Sequence, residues 1–150
     1  MSTFESSIRQ IPYPQQSVYD KLSDLSNLEN LKQRYEQMKD TMPEEARKQA
    51  EKIKDLSFDH DSLSVEVPPV GSIKLRIVNR EEPKCIKFET EQSPLPFNFW
   101  IQLLPVTATS SKMKLTIKAE LNPFIKQMVK KPLQEGIEKI ADVLQMIQYE

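Results

Sequence analysis

Apolar and polar residues alternate with a period of two along most of the chain after residue 55. The cleanest alternation runs through residues 112–121, where Met113, Leu115 and Ile117 face one way and lysines face the other. This pattern is typical of a strand with one buried and one solvated face. Short segments such as "EEPK", "SPLP" and "ATSS" separate the alternating runs. The pattern therefore predicts an antiparallel meander of six strands with one wet face.

The N-terminal region predicts one further strand followed by two short helices. Residues 3–11 alternate and end at the proline-containing segment "IPYP". One face of this predicted strand carries four side chains: Phe4, Ser6, Ile8 and Gln10. The next segment repeats an apolar residue every three or four positions, which predicts helix. These helical positions are Val18, Leu22, Leu25, Leu28 and Leu31.

Residues 30–55 are highly charged and carry only a thin apolar stripe. The stripe consists of Leu31, Tyr35, Met38 and Met42. The motif "TMPEE" predicts a fresh helix start, because Thr41 can cap and Glu44 follows in capping-box register. We interpret the segment as a helix–break–helix excursion. It serves either as a solvated surface or as a movable flap at a pocket mouth formed by Tyr35 and Met38.

A long amphipathic helix is predicted over residues 122–148. Asn122 is a good N-cap and Pro123 suits the first turn, and an apolar stripe then continues to Ile147. Two poor helix residues, Pro132 and Gly136, lie at its centre. A proline inside a regular helix costs about 3 kcal/mol, and a glycine costs about 1 kcal/mol relative to alanine. Both residues suit a helix that bends over a concave sheet, whether to fit the sheet's curvature or to shape a cavity.

Composition excludes several classes of function. The 150 residues carry 21 basic and 22 acidic side chains, so we expect no nucleic-acid partner. The two glycines do not form a phosphate-binding loop, and we expect no cofactor. One cysteine and one histidine leave no basis for a multi-cysteine or multi-histidine metal site. No apolar run approaches the ~20 residues of a membrane span and no signal peptide is evident, so we expect a cytoplasmic protein.

Three single residues were considered for chemistry. His60 lies in "DHD" at a predicted hairpin tip, where an exposed turn residue is favoured over an acid–base role. Cys85 opens a strand and is out of phase with the inward residues, so we do not assign it as a catalytic thiol. Trp100 falls on the outer face, either covered by another segment or available to a protein partner.

The order of elements resembles the START-like, or pollen-allergen-like, superfamily (SRPBCC), which has the helix-grip fold. Two segments carry the resemblance: "IPYPQQSVYDKLSDL", and "FWIQLLP" followed by "KMKLTIKAEL". The resemblance covers nearly the whole chain, which we treat as one domain over residues 1–150. It implies an α+β fold in which a seven-stranded curved antiparallel sheet grips the C-terminal helix around a ligand cavity. Relatives include lipid carriers, polyketide cyclases and chaperone activators.

The inward positions of the predicted strands and helix would line such a cavity. They are Phe88, Thr90, Phe97, Phe99, Ile101, Leu103, Met113, Leu115, Ile117, Met128, Leu133, Gly136, Ile137 and Ile140. This set is almost wholly apolar, so our leading hypothesis is noncatalytic binding of a hydrophobic small molecule or lipid by a monomer or weak dimer. The same side chains could instead fill the space. A polyketide cyclase or dehydratase and a chaperone-activator-like interaction module are the alternatives.

Overall fold

The computed structural model describes residues 2–28, 31–51, 56–67, 71–92, 95–147 and 149. Its strands are β1 (Ser2–Glu5), β2 (Arg9–Ile11), β3 (Leu56–Phe58), β4 (Ser62–Val67), β5 (Gly71–Glu81), β6 (Cys85–Gln92), β7 (Asn98–Thr107) and β8 (Ser110–Ala119). Its α-helices are α1 (Gln15–Leu22), α2 (Leu31–Met38), α3 (Glu44–Ala50) and α4 (Pro123–Gln145). Across the described ranges, every helix is too short or too polar to traverse a bilayer.

The strands form one antiparallel sheet in the order β1-β8-β7-β6-β5-β4-β3, and β2 also pairs with β8. Successive hairpins join β3 through β8, which confirms the predicted meander. The register places Phe99 opposite Ile117 and Ile101 opposite Leu115, so their side chains share the inner face. All four side chains are buried. The α+β class and the sheet packed on a long C-terminal helix are confirmed.

The first strand differs from the prediction because it is interrupted at Ser6–Ile8. From the pair Glu5–Thr116 to the pair Arg9–Met113, the N-terminal chain advances four residues while β8 advances three. This one-residue excess is a β-bulge. It is stabilised at Ser6, whose N–H donates to the Leu115 carbonyl and whose Oγ accepts from the Leu115 N–H, both at 2.9 Å. The sheet therefore has eight strands, where seven were predicted.

The bulge also reverses the faces that follow it. Phe4 and Ser6 are buried as predicted, but Ile8 is 61% exposed and Gln10 is exposed. Ile11 takes the buried position instead. The predicted single face of residues 3–11 is therefore wrong after Ser6, because an extra residue moves every later side chain to the other side.

Helix α4 lies across the inner face of the sheet. Asn122 caps it by accepting a 2.8 Å hydrogen bond from the Ile125 N–H. The helix runs without interruption through Pro132. At Gly136 the backbone comes so close to β4 that an added Cβ would lie 3.2 Å from Cγ2 of Val67. The glycine thus permits the close approach of helix and sheet.

The charged excursion contains α2, a short 3₁₀ helix over Lys39–Thr41, and α3. The predicted break between two helices is confirmed. The hydroxyl of Thr41, which was expected to cap the second helix, bonds instead to the turn before it. This hydroxyl donates to the Met38 carbonyl at 2.9 Å and so closes the preceding turn. Residues 30 and 52–55, at the ends of the predicted excursion, lie outside the described residues.

The C-terminal residues fold back after α4, which ends earlier than predicted. Ile147 and Tyr149 are buried, and the Tyr149 hydroxyl donates to the Leu144 carbonyl at 2.6 Å. The Tyr149 ring meets Tyr13 edge-on at a centroid distance of 6.0 Å. Burial raises the pKa of Tyr149 far above its ordinary value, so the hydroxyl stays protonated and available to donate.

We expect Tyr149→Ala to lower the free energy of unfolding by about 3–5 kcal/mol, because it removes a buried aromatic side chain. Tyr149→Phe should cost only about 1 kcal/mol, because it removes one hydrogen bond and keeps the ring. Urea unfolding followed by circular dichroism measures both changes. Equal costs for the two variants would show that ring packing does not hold this segment in place.

Candidate functional site

The candidate site lies between the inner face of the sheet and α4. The structure buries twelve of the fourteen predicted lining residues in the core: Phe88, Phe97, Phe99, Ile101, Leu103, Met113, Leu115, Ile117, Leu133, Gly136, Ile137 and Ile140. The rings of Phe88 and Phe99 pack edge to face with centroids 5.3 Å apart. This contact packs two large side chains against each other on the inner face.

A small void remains at this interface beneath the middle of α4. Its volume is about 10 Å³, which is close to the space of a single water molecule. Seven of the predicted residues line it: Phe97, Phe99, Ile117, Leu133, Gly136, Ile137 and Ile140. Four residues of β4 and β5 complete the lining but are missing from the prediction: Val65, Val67, Ile73 and Leu75. The period-two alternation of both strands was the signal that could have identified them.

Two predicted lining residues lie elsewhere. Met128 is 63% exposed on the outer side of α4, because Val129 takes the buried position at that turn. Thr90 is half-buried at the strand end, where its Oγ accepts a 3.2 Å hydrogen bond from the Phe97 N–H. At the predicted mouth, Tyr35 is partly buried against the core and Met38 is exposed. Neither mouth residue lines the void.

Polar contacts fasten the C-terminal half of α4 to the sheet. Gln134 donates to the Glu5 carbonyl at 2.8 Å, and Lys139 donates to the Glu66 carbonyl at 3.0 Å. At the bulge, the Ser7 N–H donates to the Glu138 carboxylate at 2.6 Å. These contacts reach opposite sides of the sheet, since Glu5 belongs to the edge strand β1 and Glu66 to β4, which neighbours the other edge strand β3. The half of α4 after Pro132 is therefore held from two sides.

Arg9 completes this attachment through ion pairs with Glu138 and Asp142, one turn apart on α4. Its side chain is only 12% exposed and also donates to Gln145 at 3.1 Å. Burial alone would lower the pKa of Arg9, but its hydrogen bonds and charge interactions with Asp142 and Glu138 outweigh burial and raise it. Sequence reasoning missed this cluster. The i, i+4 spacing of the two acids was the available signal.

The N-terminal half of α4 is fastened less. Phe124 is 75% exposed, and the apolar stripe is buried only from Val129 onward. In the described part of the chain, hydrogen bonds from α4 side chains to the strands begin at Gln134. Pro132 lies between the two halves and lacks the N–H that would bond the Met128 carbonyl. The C-terminal half of the helix is thus attached more firmly than the N-terminal half, which packs through Ile125 and Val129.

The interior offers little acid–base chemistry. No side chain that lines the void is ionisable, and within the described ranges no three metal-ligating side chains come together. His60 is exposed and lies 2.9 Å from Asp24. Cys85 is half-buried on the outer side, and burial, together with the charge of Glu81, raises the pKa of its thiol. A raised thiol pKa disfavours the reactive thiolate.

Trp100 lies on the outer face of the sheet, as predicted. The amines of Lys87 and Lys118 approach its ring to 5.6 and 5.7 Å from the centroid. Such contacts contribute roughly 0.5–1 kcal/mol each at exposed sites. The two lysines thus account for much of the cover on this tryptophan.

No family model and no curated protein matches the sequence. Solved structures are similar, however. A START superfamily protein from Mycobacterium smegmatis superposes with a TM-score of 0.62 at 14% identity, covering 95% of this chain and 94% of that one. Norcoclaurine synthase from Thalictrum flavum, in complex with dopamine and hydroxybenzaldehyde, gives 0.64 at 12% identity, covering 96% and 84%. A conserved protein from Geobacillus kaustophilus gives 0.58 at 15% identity, covering 96% and 93%.

The chain has the START-like helix-grip fold. Identities of this size concern the fold alone. In this fold, α4 closes over an apolar interface that holds a void of about 10 Å³. The features that decide what the interior can do are therefore its apolar lining and the unequal attachment of the two halves of α4.

We expect Arg9→Gln to lower the free energy of unfolding by about 2–3 kcal/mol, because it leaves two carboxylates on α4 without their cation. Amide exchange in the C-terminal half of α4 should become faster. Arg76→Gln, an exposed position on the outer face of β5, is the matched control and should change stability little. Equal effects of the two substitutions would contradict the role assigned to Arg9.

Proposed function

We propose that the chain binds a hydrophobic small molecule or lipid between its sheet and α4, without catalysing a reaction. One observation carries the proposal: an incompletely filled apolar interface lies beneath a helix whose hydrogen bonds to the strands, among the described residues, come from its C-terminal half. An apolar wall takes up apolar ligands because binding removes both surfaces from water.

Ligand entry requires α4 to move. Small-molecule pockets have volumes of about 300–1,000 Å³, far above the 10 Å³ present beneath α4. We infer that the half of α4 before Pro132 swings outward, because few buried contacts hold it and the helix lacks a hydrogen bond at Pro132. The half after Pro132 stays in place through Arg9 and its carboxylate partners.

The energetics limit which ligands could bind. Burial of about 300 Å² of apolar ligand surface gains roughly 7 kcal/mol. This gain must exceed the free energy of opening α4 and the cost of immobilising the ligand. Small polar molecules would bury too little apolar surface, so the proposal favours aromatic or acyl compounds.

The lining favours binding over catalysis. A cyclase or dehydratase needs an acid–base pair against its substrate, and the residues around the void carry no ionisable side chain. The similar structure of norcoclaurine synthase contains two aromatic compounds. We therefore include aromatic compounds among the ligands to be tested, while the absence of acid–base groups from the lining supports a noncatalytic role.

The binding site can be tested with Nile red, an uncharged fluorescent probe. Ile137→Trp should weaken probe binding about tenfold, because an indole would fill the void. Met128→Trp is the matched control, since its side chain lies on the exposed side of α4. Ile137→Ala should act oppositely and strengthen binding by enlarging the void.

Circular dichroism must first show that each variant is folded, because overpacking costs about 1–3 kcal/mol. Fluorescence titration then gives the three affinities. If Ile137→Trp and Met128→Trp bind Nile red equally well, the probe does not occupy the interior and the proposal fails.

The entry route makes a separate prediction. Pro132→Ala should stabilise α4 by up to about 3 kcal/mol, because alanine restores the N–H partner of the Met128 carbonyl. Amide exchange across residues 124–131 should slow, and Nile red should associate more slowly in stopped-flow measurements. Pro123→Ala is the control, because a first-turn N–H has no partner within the helix. Slower exchange with unchanged association would reject this route.

A further inference from the structure

A second concavity lies on the outer face of the sheet, close to the turn of the β7–β8 hairpin. Its volume is about 470 Å³, within the range of small-molecule pockets. We call it the outer groove and define it by Ile8, Lys84, Leu104, Pro105, Lys112 and Lys114. Leu104 and Lys112 are paired in the register. The buried residues Leu103 and Met113 also border the outer groove, but among the described residues the groove shares no lining residue with the void beneath α4. The two sites are therefore separate.

The floor of the outer groove is apolar and open to solvent. Leu104 is 64% exposed, and Ile8 reaches the same groove because the bulge turns it outward. Single exposed apolar side chains are ordinary on protein surfaces. Here two of them share a concave surface with Pro105, so an occupant could cover them together.

The rim of the outer groove is basic. Lys114 pairs with Glu5 at 3.0 Å. Within the described ranges, Lys84 and Lys112 form no ion pair with a carboxylate. Two lysine charges are thus left to attract an anion beside an apolar floor.

We propose that the outer groove binds a single-chain amphiphile with an anionic head, such as a medium-chain fatty acid. The acyl chain lies along Ile8, Leu104 and Pro105, and the carboxylate faces Lys84 and Lys112. A concave groove of this volume suits one acyl chain, whereas docking on a bilayer requires apolar groups that project into it. This site goes beyond the function proposed above, because it uses the opposite face of the sheet.

The test is a titration of methyl-labelled protein with decanoate below its micelle concentration, at low ionic strength. Methyl resonances of Ile8 and Leu104 should shift, and those of Leu133 and Ile137 report separately on any decanoate that enters the interior. Decanol and decyltrimethylammonium share the chain but lack the negative charge, so each should bind about tenfold more weakly. Added salt should weaken decanoate binding, because it screens exposed charges.

Variants separate the two parts of the groove. Lys84→Gln combined with Lys112→Gln should weaken decanoate binding about tenfold. Lys118→Gln is the matched control, because it removes the same charge from the same face, beside Trp100. Leu104→Gln should weaken the binding of decanoate and decanol alike, because it removes apolar floor.

Each alternative outcome is distinct. Decanoate shifts confined to Leu133 and Ile137 would overturn the outer groove and support interior binding. Equal affinity for decanoate and decanol would overturn the role of the lysines. If the protein binds phosphatidylglycerol vesicles but decanoate shifts no methyl resonance, the outer groove would be a membrane-binding surface and the proposal would be overturned. Concentration-dependent dimers that bury Leu104, again without decanoate shifts, would assign it to a second copy. Loss of Nile red binding alone leaves this proposal intact.

Discussion

The close packing of α4 against the inner face of the sheet is the constraint on which the rest of the structure depends. At Gly136 the helix backbone approaches Val67 so closely that a Cβ there would come within 3.2 Å of the valine. This approach brings Leu133, Ile137 and Ile140 into the apolar interior. A larger residue at 136 would lift the helix and open the interface, at a cost of about 1–3 kcal/mol. A glycine in the middle of a helix is thus explained by tertiary packing.

The same packing explains why the two halves of α4 differ. After Pro132, buried apolar contacts and the contacts of Arg9, Gln134 and Lys139 act together. Before Pro132, exposed residues such as Phe124 add little to the attachment. Local stability follows the density of such contacts, so opening should begin at the N-terminal end of the helix.

Much of the fold could be predicted from periodicity, because burial imposes a period of two on strands and 3.6 on helices. The alternation along residues 85–92, 97–105 and 112–121 and the stripe of α4 identify twelve buried residues. Periodicity failed where one residue breaks the phase. The stripe places Met128 inward beside Ile125 and Val129, but Val129 is buried and Ile125 is partly buried at that turn, whereas Met128 is exposed. The apolar stripe of a helix predicts which face packs on the core, but tertiary packing determines whether a residue at the margin of that face is buried.

The bulge at Ser6–Ile8 also breaks the phase of the alternation, so periodicity could not predict it. This bulge affects both candidate sites. In an uninterrupted strand continuing from Phe4 and Ser6, Ile8 would point inward and Arg9 outward. One extra residue reverses this arrangement, so that Arg9 turns toward Glu138 and Asp142 while Ile8 joins the outer groove. The bulge is stabilised by the Ser6 hydroxyl, which accepts the hydrogen bond of the Leu115 N–H. A single serine in a strand does not by itself predict such a bulge. The irregularity that holds α4 in place is thus the one that forms the apolar floor on the opposite face.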